Sequence, residues 1–341
     1  MAKEDQLNAE QQATLDKLAG EYADELANLG VRVSNLEKKV GNLYWSGDAR
    51  MRYTASSSDE VADKYDGRIR LNVKGQVNDA TYVQGQFVTN MYFKDAKKDD
   101  GNTTMSQIYV NHNFGKNVAV RLGRQPIAFG NQGGWMYNAL NGYDGAQVSY
   151  NNAKLSLTTG FGQLNDGWKD TDVYFAKGAY DFGFAKLNAD YIADKDSVAD
   201  DRVEIYGVGL NIPVQKFNVF GEYWKNTTTG DYEYDTAWNA GLSYGKADWK
   251  KAGTWDLSVA YNDVDAGVYF GGGTWHNDML KNFGTEKYLD ADNLTFWNVL
   301  ANVTLQKNVQ LHAEYAFGAD AEGTNGVDPD DSWTVSLNYK F

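Results

Sequence analysis

The last nine residues, Trp333 to Phe341, alternate without a break. Trp333, Val335, Leu337, Tyr339 and Phe341 are apolar, and Thr334, Ser336, Asn338 and Lys340 between them are polar. A period of two gives a strand one oily face and one wet face. The same period governs almost everything after Leu43. Trp45, Gly47, Ala49, Met51 and Tyr53 alternate with Ser46, Asp48, Arg50, Arg52 and Thr54. Ile69, Leu71, Val73, Gly75 and Val77 alternate with Arg68, Arg70, Asn72, Lys74 and Gln76. Further stretches begin near Val83, Gln107, Val118, Asp144, Lys154, Val173, Ala185, Val203, Phe217, Thr236, Trp255, Phe296, Val309 and Trp333. That makes about sixteen strands of ~10 residues each, the length that crosses a bilayer when tilted.

The connections have a rhythm as well. Short turns such as Asn78-Asp79-Ala80, Gly115-Lys116-Asn117, Asn151-Asn152 and Lys307-Asn308 trade with longer, acidic, Gly-containing loops. The longest spans roughly Asp263 to Leu294 and is expected to hold a short helix. Short turns at one end and long loops at the other are the outer-membrane pattern. A chain that closes on an alternating strand with an aromatic last residue resembles outer-membrane β-barrels, in which that strand and its terminal Phe are the insertion signal. Phe341 holds this place. No run of eighteen apolar residues occurs, so no transmembrane helix is expected. The 35 Gly, 23 Tyr and only 3 Pro suit many antiparallel strands with aromatic girdles.

Composition also excludes. With no Cys there are no disulfides, thiolate metal sites or Cys nucleophiles. A net charge of -14 argues against nucleic acid as a partner. His112, His276 and His312 lack metal-ligand spacing and no nucleophile-elbow pattern occurs, so neither a metal, a cofactor nor a catalytic residue is expected. Met1-Ala-Lys-Glu-Asp is followed by no apolar core, so outer-membrane location requires an upstream segment.

Residues 1–43 read differently. Leu26, Leu29, Val33, Leu36, Val40 and Leu43 recur at alternating steps of three and four, the heptad pattern of a coiled coil. Leu15, Leu18 and Tyr22 continue the seam, with a stutter at Leu18-Tyr22-Leu26. Arg32-Val33-Ser34-Asn35-Leu36-Glu37 resembles the trimerisation motif Arg-apolar-x-x-apolar-Glu. Arg32 falls at g and Glu37 at e, flanking Val33 and Leu36 in the core. Val at a with Leu at d leans instead towards two strands. The fold class expected is therefore all-β: a 16-stranded antiparallel transmembrane β-barrel over 44–341, preceded by an α-helical coiled-coil stalk over 1–43. An even strand number puts both barrel ends on the short-turn face, so the stalk is expected in the periplasm.

A barrel of this size leaves an aqueous lumen. Arg50 and Arg52 on the first strand, Arg68, Arg70 and Lys74 on the second, and Arg121 and Arg124 on the fifth are the expected pore-lining cations. A lipid-facing Arg at the midplane costs ~2–4 kcal/mol. Inward acids are expected at Asp48, Asp190, Glu222, Asp256 and Glu314, and Phe220 and Trp224 are isolated inward aromatics. The segment after the fifth strand resembles the constriction loop of trimeric porins, which begins there and folds into the lumen. Its Pro, Phe-Gly and Gly pair are matched by Pro126, Phe129, Gly130, Gly133 and Gly134, followed by Trp135. Unlike general porins, Pro126 to Gly142 contains no Asp or Glu.

A coiled coil running into a porin-like barrel through Asn42-Leu43-Tyr44-Trp45-Ser46-Gly47 resembles the OmpM-type tethering porins, with Leu29 to Glu37 as the most specific part. The resemblance implies a homotrimer in the bacterial outer membrane that passes small hydrophilic solutes and ions. It also implies an S-layer-homology domain, absent from these residues, through which peptidoglycan would be bound. The alternative is a structural anchor whose barrel is plugged. A soluble carbohydrate-binding β protein and an outer-membrane hydrolase, with Ser149 or Asn151 near His112, are weaker readings.

Overall fold

The computed structural model describes residues 9–57, 63–94, 100–131, 134–165, 171–195, 203–228, 234–268, 279, 291–323 and 328–341. The chain divides into two units, 1–43 and 44–341. The first is one helix, α1 (Ala9–Val40), rich in Ala, Glu, Gln, Lys and Leu, which favour helix. It stops where Gly41 takes φ 62°, a left-handed position that glycine occupies without penalty. On the single chain Leu15, Leu18, Tyr22 and Leu29 are exposed. The side chains of Arg32, Val33, Leu36 and Glu37 lie outside the described residues.

The second unit is a closed barrel of sixteen antiparallel strands among the described residues. They are β1 (Leu43–Ser56), β2 (Lys64–Gln76), β3 (Thr81–Tyr92), β4 (Thr103–Phe114), β5 (Val118–Phe129), β6 (Tyr137–Asn151), β7 (Leu155–Leu164) and β8 (Asp172–Asp181). β9 (Lys186–Asp194), β10 (Glu204–Val214), β11 (Phe217–Asn226), β12 (Thr236–Gly245), β13 (Trp255–Asp265), β14 (Ala291–Gln306), β15 (Val309–Gly323) and β16 (Ser332–Lys340) complete it. Each strand pairs with its sequence neighbours, and β1 closes on β16 with Met51 opposite Leu337 and Arg52 opposite Ser336. The seam ends in a reciprocal pair: Phe341 N–H donates to Gly47 O at 3.0 Å, and Gly47 N–H to Phe341 O at 2.7 Å. A closed circuit leaves no unpaired edge, the condition for a sheet in hydrocarbon.

Register carries one face continuously round the circuit. Residues opposite each other share a face, so Ile205, Asn226 and Trp224 belong together, as do Asn239, Asn262 and Phe296. These side chains are buried, while the alternate face exposes Tyr206, Val208, Val219, Tyr223 and Leu242. The buried face is the lumen. Its apolar core joins Phe129, Trp135, Met136, Tyr137 and Tyr143 to Phe175, Ile192, Trp224 and Phe296.

β2 starts at Lys64, ahead of the alternation that begins at Arg68; β4, β6 and β14 also start earlier than it indicates, at Thr103, Tyr137 and Ala291. Bulges between Gln86 and Phe87, Gln125 and Ile127, and Thr295 and Trp297 change the parity there, so one period cannot be followed through. The longest connection accordingly spans 266–290. The expected short helix falls largely outside the described residues, but Val268 and Met279 are buried in the barrel's own apolar core.

Candidate pore wall and constriction

On β1 and β2 the inward positions carry charge in a reciprocal lattice. Arg50 Nη2 and Arg52 Nε on β1 donate to the two carboxylate oxygens of Asp66 on β2, at 3.1 and 2.7 Å. Arg68 Nη2 and Arg70 Nε on β2 donate to Asp48 on β1, at 3.4 and 2.8 Å. Four guanidiniums face two carboxylates, so the wall keeps a positive surplus. Two more cations extend it: Lys74 Nζ stands 4.4 Å from the Tyr82 ring centroid, and the Arg121 guanidinium 4.5 Å from that of Tyr109. Such stacking orients a cation without neutralising it. Neutral amides continue the wall, with Gln86 Nε2 donating to Asn72 Oδ1 at 2.8 Å and Gln107 Nε2 to Gln86 Oε1 at 3.2 Å.

Arg124 does not join this wall. It pairs in register with Ile108 and Asp144 and shares the outer face with Val120 and Leu122. There it makes a two-pronged bond to Asp144, at 2.7 and 2.6 Å. The reason is parity: Arg121 and Arg124 are three residues apart and must point to opposite faces.

The segment after Gln125 is a hairpin rather than the long loop expected. Pro126 sits at the bulge, unpaired, where a residue without an N–H costs no ladder bond. Beyond it β5 continues, with Ile127 opposite Ala139 and Phe129 opposite Tyr137, and the tip crosses the lumen. Gly130 N–H donates to Asp190 Oδ2 on β9 at 2.8 Å, and Asn131 N–H to Glu222 Oε2 on β11 at 3.0 Å. Trp135 Nε1 donates to Asn262 Oδ1 on β13 at 2.9 Å. β13 lies half-way round the circuit from β5, so the hairpin bridges the barrel. Lys177 Nζ donates to Ala128 O and lies over the Phe129 ring. Gly130 and Gly134 take φ 95° and 97°, and a Cβ on Gly130 would stand 2.5 Å from Glu222 Oε2. Gly133 lies outside the described residues.

The inward acids thus do not stand free opposite the basic wall. Asp190 and Glu222 hold hairpin amides; Glu222 also accepts from Trp224 Nε1 at 2.9 Å. Asp256 accepts from Asn302 Nδ2 at 2.8 Å and from Ala247 N–H at 2.9 Å. Glu314 accepts from Asn298 Nδ2 at 3.0 Å, with His312 Nε2 at 3.5 Å. Phe220 and Trp224 are buried and offer no lumenal stacking surface. Sequence reasoning missed Asp66, which shares the parity of Arg68 and Arg70, and Lys177, which nothing in its neighbourhood singles out. His112 bonds Thr81 on the outer face, whereas Ser149 and Asn151 point inward, so no hydrolytic pair forms. Among the described residues no group of His, Asp or Glu is arranged to hold a metal ion.

A closed sixteen-strand antiparallel barrel is also what similar solved structures have. A triple mutant of the Rhodopseudomonas blastica porin matches with TM-score 0.59 at 13% identity, over 88% of this chain and 100% of that one. OmpF of Salmonella typhi, in complex with daunomycin, matches with TM-score 0.58 at 14% identity, over 88% of this chain and 97% of that one. The chain has the porin fold. No family model and no curated protein matches the sequence. At this identity the likeness extends to the porin fold alone.

Proposed function

We propose that the protein is a diffusion porin of a bacterial outer membrane, passing small hydrophilic solutes and ions along the basic wall. The observation that carries this reading is the asymmetry of the lumen. The hairpin and the apolar core pack against β6 to β15, while β1 to β5 present Arg50, Arg52, Arg68, Arg70, Lys74 and Arg121 among amides. Charged side chains in reciprocal pairs suit a solvated passage and would be a poor filling for a plug. Constriction belongs to Pro126, Phe129, Gly130, Gly134 and Trp135, and Phe341 serves as the insertion signal.

The finer reading is a homotrimer joined by the helix, with residues 1–43 in the periplasm. The exposed seam of Leu15, Leu18, Tyr22 and Leu29 supports it, because a lone helix gains nothing from an apolar stripe in water. Arg32, Val33, Leu36 and Glu37 would set the trimer. The OmpM-type resemblance adds tethering to peptidoglycan through an upstream domain.

Planar-bilayer recording tests the channel. Stepwise openings in groups of three are expected. The second reading, a non-conducting anchor, is favoured by the buried Phe129, Trp135 and Met136 crossing the lumen. Silent bilayers from correctly folded protein would replace the first reading by the second.

A further inference from the structure

The two rims of the barrel carry opposite charge. The long connections are acidic among the described residues, with Asp63, Asp100, Asp235, Asp328, Asp330 and Asp331. The short-turn rim is lined with lysine. Lys116 lies between β4 and β5, Lys154 between β6 and β7, Lys216 between β10 and β11, and Lys307 between β14 and β15; all four are exposed. Lys246, Lys250 and Lys251 add to them between β12 and β13. In a chain of net charge -14, such segregation is not a by-product of composition.

A second observation gives these lysines a depth. Phe114, two residues before Lys116, is 58% exposed, and Phe217, next to Lys216, is 45% exposed. On the same rim Tyr180 contacts Phe182 at 4.7 Å, and Phe217 contacts Tyr244 at 4.9 Å. The Lys340 ammonium stands 4.0 Å from the Trp249 ring centroid. Exposed aromatics of this kind settle at the level of lipid head groups. The ammonium groups beside them, on flexible stems, reach the phosphate layer. Among the described residues Lys116, Lys216 and Lys307 have no ion-pair partner, so their charge is free for an anion.

We infer that the short-turn rim is a binding ring for anionic phospholipid head groups, formed by Lys116, Lys154, Lys216 and Lys307 between outward aromatic side chains. The inference rests on the outer-membrane reading above. Each lysine near a charged surface contributes attraction, and the four act around one circumference, so anionic lipid is retained in the first lipid shell.

The test is electron spin resonance of the full chain in phosphatidylcholine bilayers containing spin-labelled phosphatidylglycerol or spin-labelled phosphatidylcholine. At low salt the phosphatidylglycerol label is expected to associate about fivefold more strongly. The preference should fall to about one at ~1 M salt, where charges are screened within ~3 Å. A variant with Lys116→Gln, Lys154→Gln, Lys216→Gln and Lys307→Gln should lose the preference while keeping the heat-dependent gel shift of a folded barrel. If that variant does not fold, the salt titration of the unaltered protein and the corresponding Lys→Arg variant, which should keep the preference, decide the matter. Equal retention of both labels by the unaltered protein overturns the inference, as does a preference that survives the four substitutions. Equal retention together with salt-sensitive sedimentation on purified peptidoglycan would overturn it in favour of a wall polymer. Absence of any motionally restricted lipid would instead sink the membrane reading.

Discussion

At the scale of single residues, the basic wall shows how far alternation reaches. Arg50, Arg52, Arg68 and Arg70 share a parity within unbroken strands, so the sequence places them on one face. It does not say that Asp66 and Asp48 thread between them, because register between β1 and β2 decides which side chains meet. Asp66→Asn removes the carboxylate that Arg50 and Arg52 share. A unit charge at ~4 Å in water is worth about 1 kcal/mol, so the anion-to-cation permeability ratio should rise by up to about fivefold. Reversal potentials across a salt gradient measure it; an unchanged or lowered ratio would show that this wall does not line the ion path. Gly130 is a second residue-scale case. Its φ of 95° and the nearness of Glu222 make Gly130→Ala costly, by about 1–3 kcal/mol. A lower temperature for the shift between folded and unfolded gel bands is expected, and an unaltered one would mean that the hairpin tip adapts freely. Arg124 is where a residue-scale rule was available and outweighed by cluster: its odd separation from Arg121 already assigns it to the other face.

At the scale of elements, the hairpin after β5 departs furthest from what its sequence suggests. Pro, Gly and Phe in that segment read as an irregular loop, yet β5 and β6 keep pairing past the bulge at Gln125 and carry the tip across the lumen. Its destination was legible only as a tendency. The anchors, Asp190, Glu222, Asn262 and Lys177, lie on four different strands, and no local pattern connects them to Gly130, Asn131, Trp135 or Ala128. A hydrogen bond to a charged group contributes about 1.5–3 kcal/mol. Joint Asp190→Asn and Glu222→Gln substitution should therefore loosen the tip without unfolding the barrel. Single-channel records are expected to show added open-state noise and sub-levels. Traces indistinguishable from those of the unaltered protein would remove these carboxylates from the role of hairpin anchors.

At the scale of the whole molecule, the barrel and the helix are separate folding problems. Each strand of the barrel finds its partners among the other strands, and β1 closes on β16. A chain lacking residues 1–43 should still form a heat-modifiable, conducting barrel. The proposed trimer should dissociate at lower detergent or temperature stress without the helix, as read by mass photometry; unchanged oligomer stability would take the helix out of assembly. Strand number, strand polarity, which end has short turns and which face of β1 and β2 is charged were all determined by the sequence alone, because each follows from a period of two and from turn residues acting locally. What only the tertiary structure decided is where the lumen is filled and where it stays wet. That depends on a bulge which redirects one hairpin and on carboxylates from distant strands that meet its amides, and contacts between residues so far apart in the chain leave no period for a sequence to display.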